Sequence, residues 1–300
     1  MFTHKDYQRH GVASNLIRKI ERKAKDKITL VIANKSVLTE PFWSDIILGI
    51  ETAVNDSKVI LQIFIFNIDM QFDLMLSEIH NSTTNGLILI KDYDNKFVSK
   101  LKGCNLPMVV IDPKHFTDVH CPQISVSNYE SAYYCAKYLI NKGHKNLAFW
   151  GDITFSHSFM QRFNGFKDAI IYSQEAAFTP IISKAEDDKI ACNIQEFIKI
   201  YSHKDYPTAI LCANDLVAYL AIDQLKKLNR AVPDDVSIIG FDNLEKSKWL
   251  NLTTVNVPKF EMGKRSVEKL LQMINKKDNI SEKIEIAAEL VERATVKTLK

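Results

Sequence analysis

From Ile28 onward short apolar runs alternate with stretches of helical periodicity, and this alternation limits the possible folds more than any other feature of the chain. Residues 28–33 (ITLVIA) read as a buried strand. Residues 43–54 then place Trp43, Ile46, Ile47, Ile50 and Val54 on one face of an amphipathic helix. The pattern continues with strands at 59–66, 86–90, 108–111 and 124–126 and helices near 72–79 and 96–101. A second series holds helices at 131–141, 160–172, 190–201 and 216–228 and strands at 146–150, 178–182, 209–212 and 236–240. Gly143 stands where a left-handed residue would close the first of these helices. Alternation at this spacing implies right-handed crossovers and mainly parallel sheets covered on both faces. The expected fold is α/β, with two parallel-sheet lobes in tandem. The tail does not simply prolong the second series: 253–255 and 284–291 read as extended and 262–274 as helical.

A chain of 300 residues with 46% hydrophobic content can bury one large or two medium cores, and two suit the repeat better. No run approaches the ~18 consecutive apolar residues of a membrane span, and the opening residues are too polar for a secretory signal. The five cysteines (Cys104, Cys121, Cys135, Cys192, Cys212) form no close pair and read as small buried hydrophobes. A reduced, cytoplasmic location without membrane contact follows. Charge is unevenly distributed: residues 1–27 hold eight Lys or Arg against three acids, a local +5, while the rest of the chain sums to −2. A basic arm on a faintly acidic body suits phosphate contact, with Lys5, Arg9, Arg18 and Lys19 as candidate DNA contacts. A solvated tail has the same composition.

Sequence patterns for nucleotide loops, zinc proteases, serine hydrolases and redox cysteine pairs are missing, and nine glycines leave little for phosphate-cradling loops. The eight histidines show no metal-ligand spacing, so neither an enzyme, a metal nor a cofactor is indicated. In open parallel sheets, ligands bind outside the carboxyl ends of the strands. Five polar segments lie there: 39–43, 127–130, 156–162, 212–215 and 240–243.

Several of these segments carry a specific resemblance. The run 126–149, with Gly143-His144 inside it, Gln161-Arg162-Phe163-Asn164-Gly165-Phe166, Ala213-Asn214-Asp215, residues 232–243 (VPDDVSIIGFDN) and Leu252-Thr253-Thr254-Val255 resemble, in order, the sensor of lactose repressor and galactose repressor family regulators. The resemblance covers nearly the whole chain from Ile28. It implies a periplasmic-binding-protein-like pair of lobes joined by three crossings near 127, 255 and 283. The first lobe would be 28–126 plus 256–282, the second 127–255 plus 283–300, and 1–27 a shortened DNA-binding arm.

The resemblance also implies site residues. Asp242 matches the acid that accepts from sugar hydroxyls, and Arg162 the arginine that donates to the same ligand from the other lobe's helix end. Both would form charge-assisted hydrogen bonds. Asn214 matches a ligand contact and Asp215 the cap of the next helix. Phe42 and Trp43 match aromatics able to cover the C–H face of a sugar or a purine base, although either could equally be core. Ser156 and Ser158 match small polar contacts, and Glu130 a polar position near the hinge. Family members carry a helix-turn-helix head of about sixty residues; here residues 1–14 resemble its first helix and turn, and Asn15 to Lys27 cannot supply the rest. Two readings follow: a regulator whose polar effector, a sugar or sugar derivative, tunes a DNA contact of doubtful competence, or a stand-alone sugar-binding sensor acting through a protein partner. A homodimer is expected, with helices near 43–54 and 247–250 as candidate faces.

Overall fold

The apolar runs become the strands of two six-stranded sheets. The computed structural model describes residues 26–32, 35–65, 72–90, 95–114, 121–181, 194–275 and 281–299; the basic arm with Lys5, Arg9, Arg18 and Lys19 lies outside them, as does Cys192. The first sheet holds β1 (Lys27–Ile32), β2 (Ile60–Ile65), β3 (Gly86–Ile90), β4 (Met108–Ile111), β5 (Gln123–Val126) and β11 (Lys283–Ile286), in the order β11-β5-β4-β3-β1-β2. Every pairing in it is parallel. The second holds β6 (Asn146–Trp150), β7 (Ala177–Ile181), β8 (Ala209–Cys212), β9 (Ser237–Phe241), β10 (Thr253–Asn256) and β12 (Glu289–Val291), ordered β12-β10-β9-β8-β6-β7, with β12 antiparallel. Strands β3, β4, β8 and β9 are buried throughout, which is why their sequences are apolar apart from the Ser237 that opens β9.

Helices cover both sheets. The first series contributes α1 (Pro41–Asp56), α2 (Phe72–Asn81) and α3 (Asn95–Lys102). The second contributes α4 (Asn128–Asn141), α5 (His157–Ser173), α6 (Ile194–Tyr201), α7 (Asp215–Lys227) and the short α8 (Glu245–Trp249), before α9 (Lys259–Ile274) returns to the first lobe. Helix α1 buries Trp43, Ile46, Ile50, Ala53 and Val54 and lies against α9. Their axes approach closely because the crossing is built on glycine. A Cβ at Gly49 would stand 2.0 Å from the Phe260 carbonyl oxygen, and one at Gly263 2.1 Å from that of Ile46. Gly143, at φ 89°, closes α4 as expected.

The chain changes lobes after β5, after β10 and after β11. Sequence reasoning puts the third crossing near 283 and gives 283–300 to the second lobe. The structure corrects this: β11 is the edge strand of the first sheet, in register with β5 from Lys283↔Gln123 to Ile286↔Val126. The extended stretch 284–291 is thus two strands of different sheets. Its alternating exposure along β11 is that of an edge strand with one face on the core, a pattern that does not say which sheet it joins. Where the first and third crossings leave, they are tied: the Ser127 peptide N–H and hydroxyl both donate to Ile286 O, at 3.0 and 3.1 Å.

Candidate effector site

Five strand ends supply the polar groups, those of β4, β5, β6, β8 and β9. Beyond β6, the Ser156 hydroxyl accepts from Phe159 N at 3.2 Å and starts α5, which carries Arg162 into the space between the ends of β8 and β9. Arg162 is 2% exposed. Its Nε donates to Asn128 Oδ1 at 2.8 Å and its Nη1 to Ala213 O at 2.7 Å, so the guanidinium is fixed from two elements. It also lies 3.7 Å from the centroid of the Phe241 ring. The Asp242 carboxylate faces it, with Nη1 to Oδ1 at 3.4 Å, an ion pair whose geometry falls short of a hydrogen bond. Oδ1 of Asp242, though buried, has no hydrogen-bond partner among the described residues. Such an acceptor is costly unless something fills it.

Burial pushes the Asp242 carboxyl up to about 7, with Arg162 and Lys259 opposing and Asp215 and Asp112 adding to the rise. Its backbone has φ 115°, a conformation rarely taken by L residues. Across from it stands Asp112, directly after β4 and at φ 44°. Asp112 Oδ1 accepts from the Ser158 hydroxyl at 2.7 Å, a bond that joins the two lobes, as does His157 N to Lys114 O at 2.7 Å. Burial raises the Asp112 carboxyl as well. Beside this pair a small cleft, partly open to solvent, is lined by Asp112, Ser125, His157, Ser158, Gln161 and Lys283.

The structure redistributes several expected roles. Arg162 and Asp242 do meet, but both belong to the second lobe, so Arg162 does not reach across from the other one. The first lobe contributes Asp112 instead. The helix cap expected of Asp215 falls to Asn214. Asn214 caps α7, its Oδ1 accepting from Val217 N at 3.0 Å. Asp215 is fully buried and takes three donors, Leu244 N at 2.7 Å, the Ser247 hydroxyl at 2.5 Å and the Thr254 hydroxyl at 2.6 Å. Asp215 therefore knits α7 to β10 and α8 rather than capping a helix. Trp43 is 6% exposed and part of the first core, which leaves Phe42, half-buried and edge-on to it at 5.1 Å, as the remaining aromatic candidate. Ser156 caps α5, Ser158 holds Asp112, and Glu130 is exposed on the first turn of α4.

Sequence reasoning misses Asp112 and Lys259 and holds Asn128 only within the segment 127–130, where Glu130 is the residue singled out. Asp112 satisfies the rule that selects the other segments, being polar and immediately beyond a parallel strand. The described residues include no cluster of three or more His, Cys, Asp or Glu placed to hold a metal ion. The site offers buried acceptors and one anchored cation at the carboxyl ends of a doubly wound sheet, an arrangement suited to holding a polar molecule by hydrogen bonds.

Residues 136–296 match the periplasmic binding protein-like domain family. The chain belongs to that family. Within this periplasmic binding protein-like domain the match takes in Arg162, Asn214, Asp215 and Asp242. Among curated relatives, the HTH-type transcriptional repressor PurR of Histophilus somni (strain 2336) is 32% identical over 219 residues, covering 71% of this chain and 64% of that protein. The chain thus spans 64% of that relative's length. A LacI family transcriptional regulator from Enterococcus faecium, solved with bound ribose, superposes with a TM-score of 0.74 at 20% identity, over 92% of this chain and 100% of that one. The lac repressor dimer bound to operator and the anti-inducer ONPF superposes at 0.73 and 20%, over 94% and 98%. These solved structures share the fold of the chain, and the named relatives are transcriptional regulators.

Proposed function

We propose that the chain is the effector-sensing part of a transcriptional regulator, closing its lobes on a small polar molecule, a sugar or sugar derivative, held by Arg162 and Asp242. The observation that carries this reading is the buried Asp242 Oδ1 without a hydrogen bond, opposed by Asp112 from the other lobe. A ligand hydroxyl or N–H placed between the lobes would satisfy that acceptor and replace the Ser158–Asp112 tie. The relatives are named as regulators, one bound to ribose and one to operator DNA, and they favour this role over an enzymatic one.

Sugars, sugar phosphates and nucleobases screened by thermal shift identify the effector, since a ligand at 100 times its dissociation constant adds ~2.7 kcal/mol of stability. Asp242→Ala and Arg162→Ala should each weaken the best ligand at least tenfold, because either leaves buried partners unmet. Unchanged calorimetric affinity in either variant refutes the assignment.

We further propose a cytoplasmic homodimer. Leu48 on α1, Trp249 and Leu250 at the end of α8, and Ile60, Ile63 and Ile65 on edge strand β2 are exposed apolar residues available to a twofold contact. A clean monomer in sedimentation at micromolar concentration counts against it. DNA contact through Lys5, Arg9, Arg18 and Lys19 is proposed as weak, salt-sensitive and without operator preference. Discrimination above a hundredfold between operator and random duplex at physiological salt would overturn that.

A further inference from the structure

Lysine ammonium groups are seldom buried, yet Lys259 is 5% exposed. It is the first residue of α9, where the helix dipole disfavours a cation, so helix stability does not account for it. Its Nζ donates to Asp242 O at 2.5 Å and more weakly to Val257 O at 3.4 Å, and stands 3.9 Å from Asp45 Oδ2 on α1. The ammonium thus donates to two carbonyls beside the second crossing and stands within ion-pair range of a carboxylate of the first lobe. The first of those carbonyls belongs to the one site residue whose backbone sits at φ 115°, followed by Asn243 at φ 51°. On its other side the same turn is clamped by Arg293, whose Nη2 donates to Asn243 Oδ1 at 2.7 Å.

We propose that Lys259 is the positioning residue of the effector site: by seizing the Asp242 carbonyl at the joint between the lobes, it fixes the turn that aims the Asp242 carboxylate at Arg162 and links it to α1 through Asp45. It touches no ligand and acts through Asp242. The inference takes from the effector reading only the choice of Asp242 as the residue that matters. Four charged groups face that carboxyl: Arg162 from α5, Asp215 from α7, Lys259 from α9 and Asp112 from the end of β4. The two cations favour its ionised form, and removing one has a defined sign.

The test follows the Asp242 carboxyl carbon by NMR titration of the full chain, the signal being assigned by its loss in Asp242→Asn. Lys259→Gln keeps a donor for the Asp242 carbonyl but removes the charge, and should move the midpoint upward from about 7 by about one pH unit. Lys259→Arg keeps the charge and should restore the original midpoint. Asp45→Asn, an exposed change that leaves the core alone, frees the ammonium from its carboxylate and should move the midpoint downward. An unmoved midpoint in Lys259→Gln, or an equal rise in Lys259→Arg, overturns the proposal. If Lys259→Gln does not fold, an unmoved or raised midpoint in Asp45→Asn overturns it equally. No effector enters these measurements, so they fail or succeed separately from the ligand assignment.

Discussion

Replacing Asp242 by Asn should stabilise the protein at pH 8 while impairing what the site does. The carboxyl titrates at about 7 in the folded chain against an ordinary value of 3.8. Between those values the folded state binds more protons than the unfolded state, so stability falls as pH rises through the window and is level above it. About three pH units at ~1.4 kcal/mol each give a penalty of about 4 kcal/mol at pH 8. At pH 4.5, just inside the window, about 1 kcal/mol of it remains. The amide of the variant would keep the shape of the protonated acid and carry no such penalty, and Arg162 retains its bonds to Asn128 and Ala213. Urea unfolding of both proteins at pH 4.5, 6 and 8 reads the gap, which should widen with pH. A gap that is constant across the series, or a variant less stable than the parent at pH 8, refutes the reasoning.

Removing the buried Asp215 carboxylate strands three donors, so Asp215→Ala should lower stability by about 3–5 kcal/mol, seen as a lower urea midpoint; a loss under about 1 kcal/mol would show that water replaces the knot. Gly263→Ala forces a methyl against the Ile46 carbonyl and should cost about 1–3 kcal/mol by thermal unfolding, whereas an unchanged midpoint would mean the α1–α9 crossing yields freely. Ser158→Ala takes a donor from Asp112 and should cost about 1–3 kcal/mol at pH 8 but less at a lower pH, because burial raises the Asp112 carboxyl and its protonation weakens the bond; solution scattering should show the lobes further apart. An equal cost at both pH values would separate that bond from the ionisation of Asp112.

Legibility in the sequence follows burial. Strands 86–90, 108–111, 146–150 and 209–212 can be read with the bounds they have, because unbroken apolar runs between polar stops leave few alternatives. Helix α4 begins three residues before its periodicity does. Asn128, Tyr129 and Glu130 lack apolar spacing, and Asn128 is drawn in by its bond to Arg162, a contact 34 residues away. The pair Arg162 and Asp242 comes from the resemblance, and placing Arg162 on the other lobe conflicts with the lobe bounds expected from the same sequence, which hold both residues within 127–255. Trp43 and Phe42 are adjacent and chemically alike. Only the packing of α1 on the first core decides which one is buried. Lys259 is invisible for the opposite reason: a lysine after proline at a helix start reads as solvated surface until the loop carrying Asp242 folds over it.

The return of α9 and β11 to the first lobe has a consequence for biosynthesis. The ribosome delivers β1 and α1 early, but the helix that covers α1 is Lys259–Ile274 and the last strand of the same sheet ends at Ile286. Until nearly the whole chain has emerged, α1 keeps Ile46, Ile50 and the groove beside Gly49 open to water, and β5 keeps an unpaired edge. The second lobe meets the same delay more mildly, since β12 alone is late. A nascent chain arrested before residue 258 should therefore expose the first lobe's apolar face to chaperones and proteases, however well its strands are formed. One stopped after 286 should not.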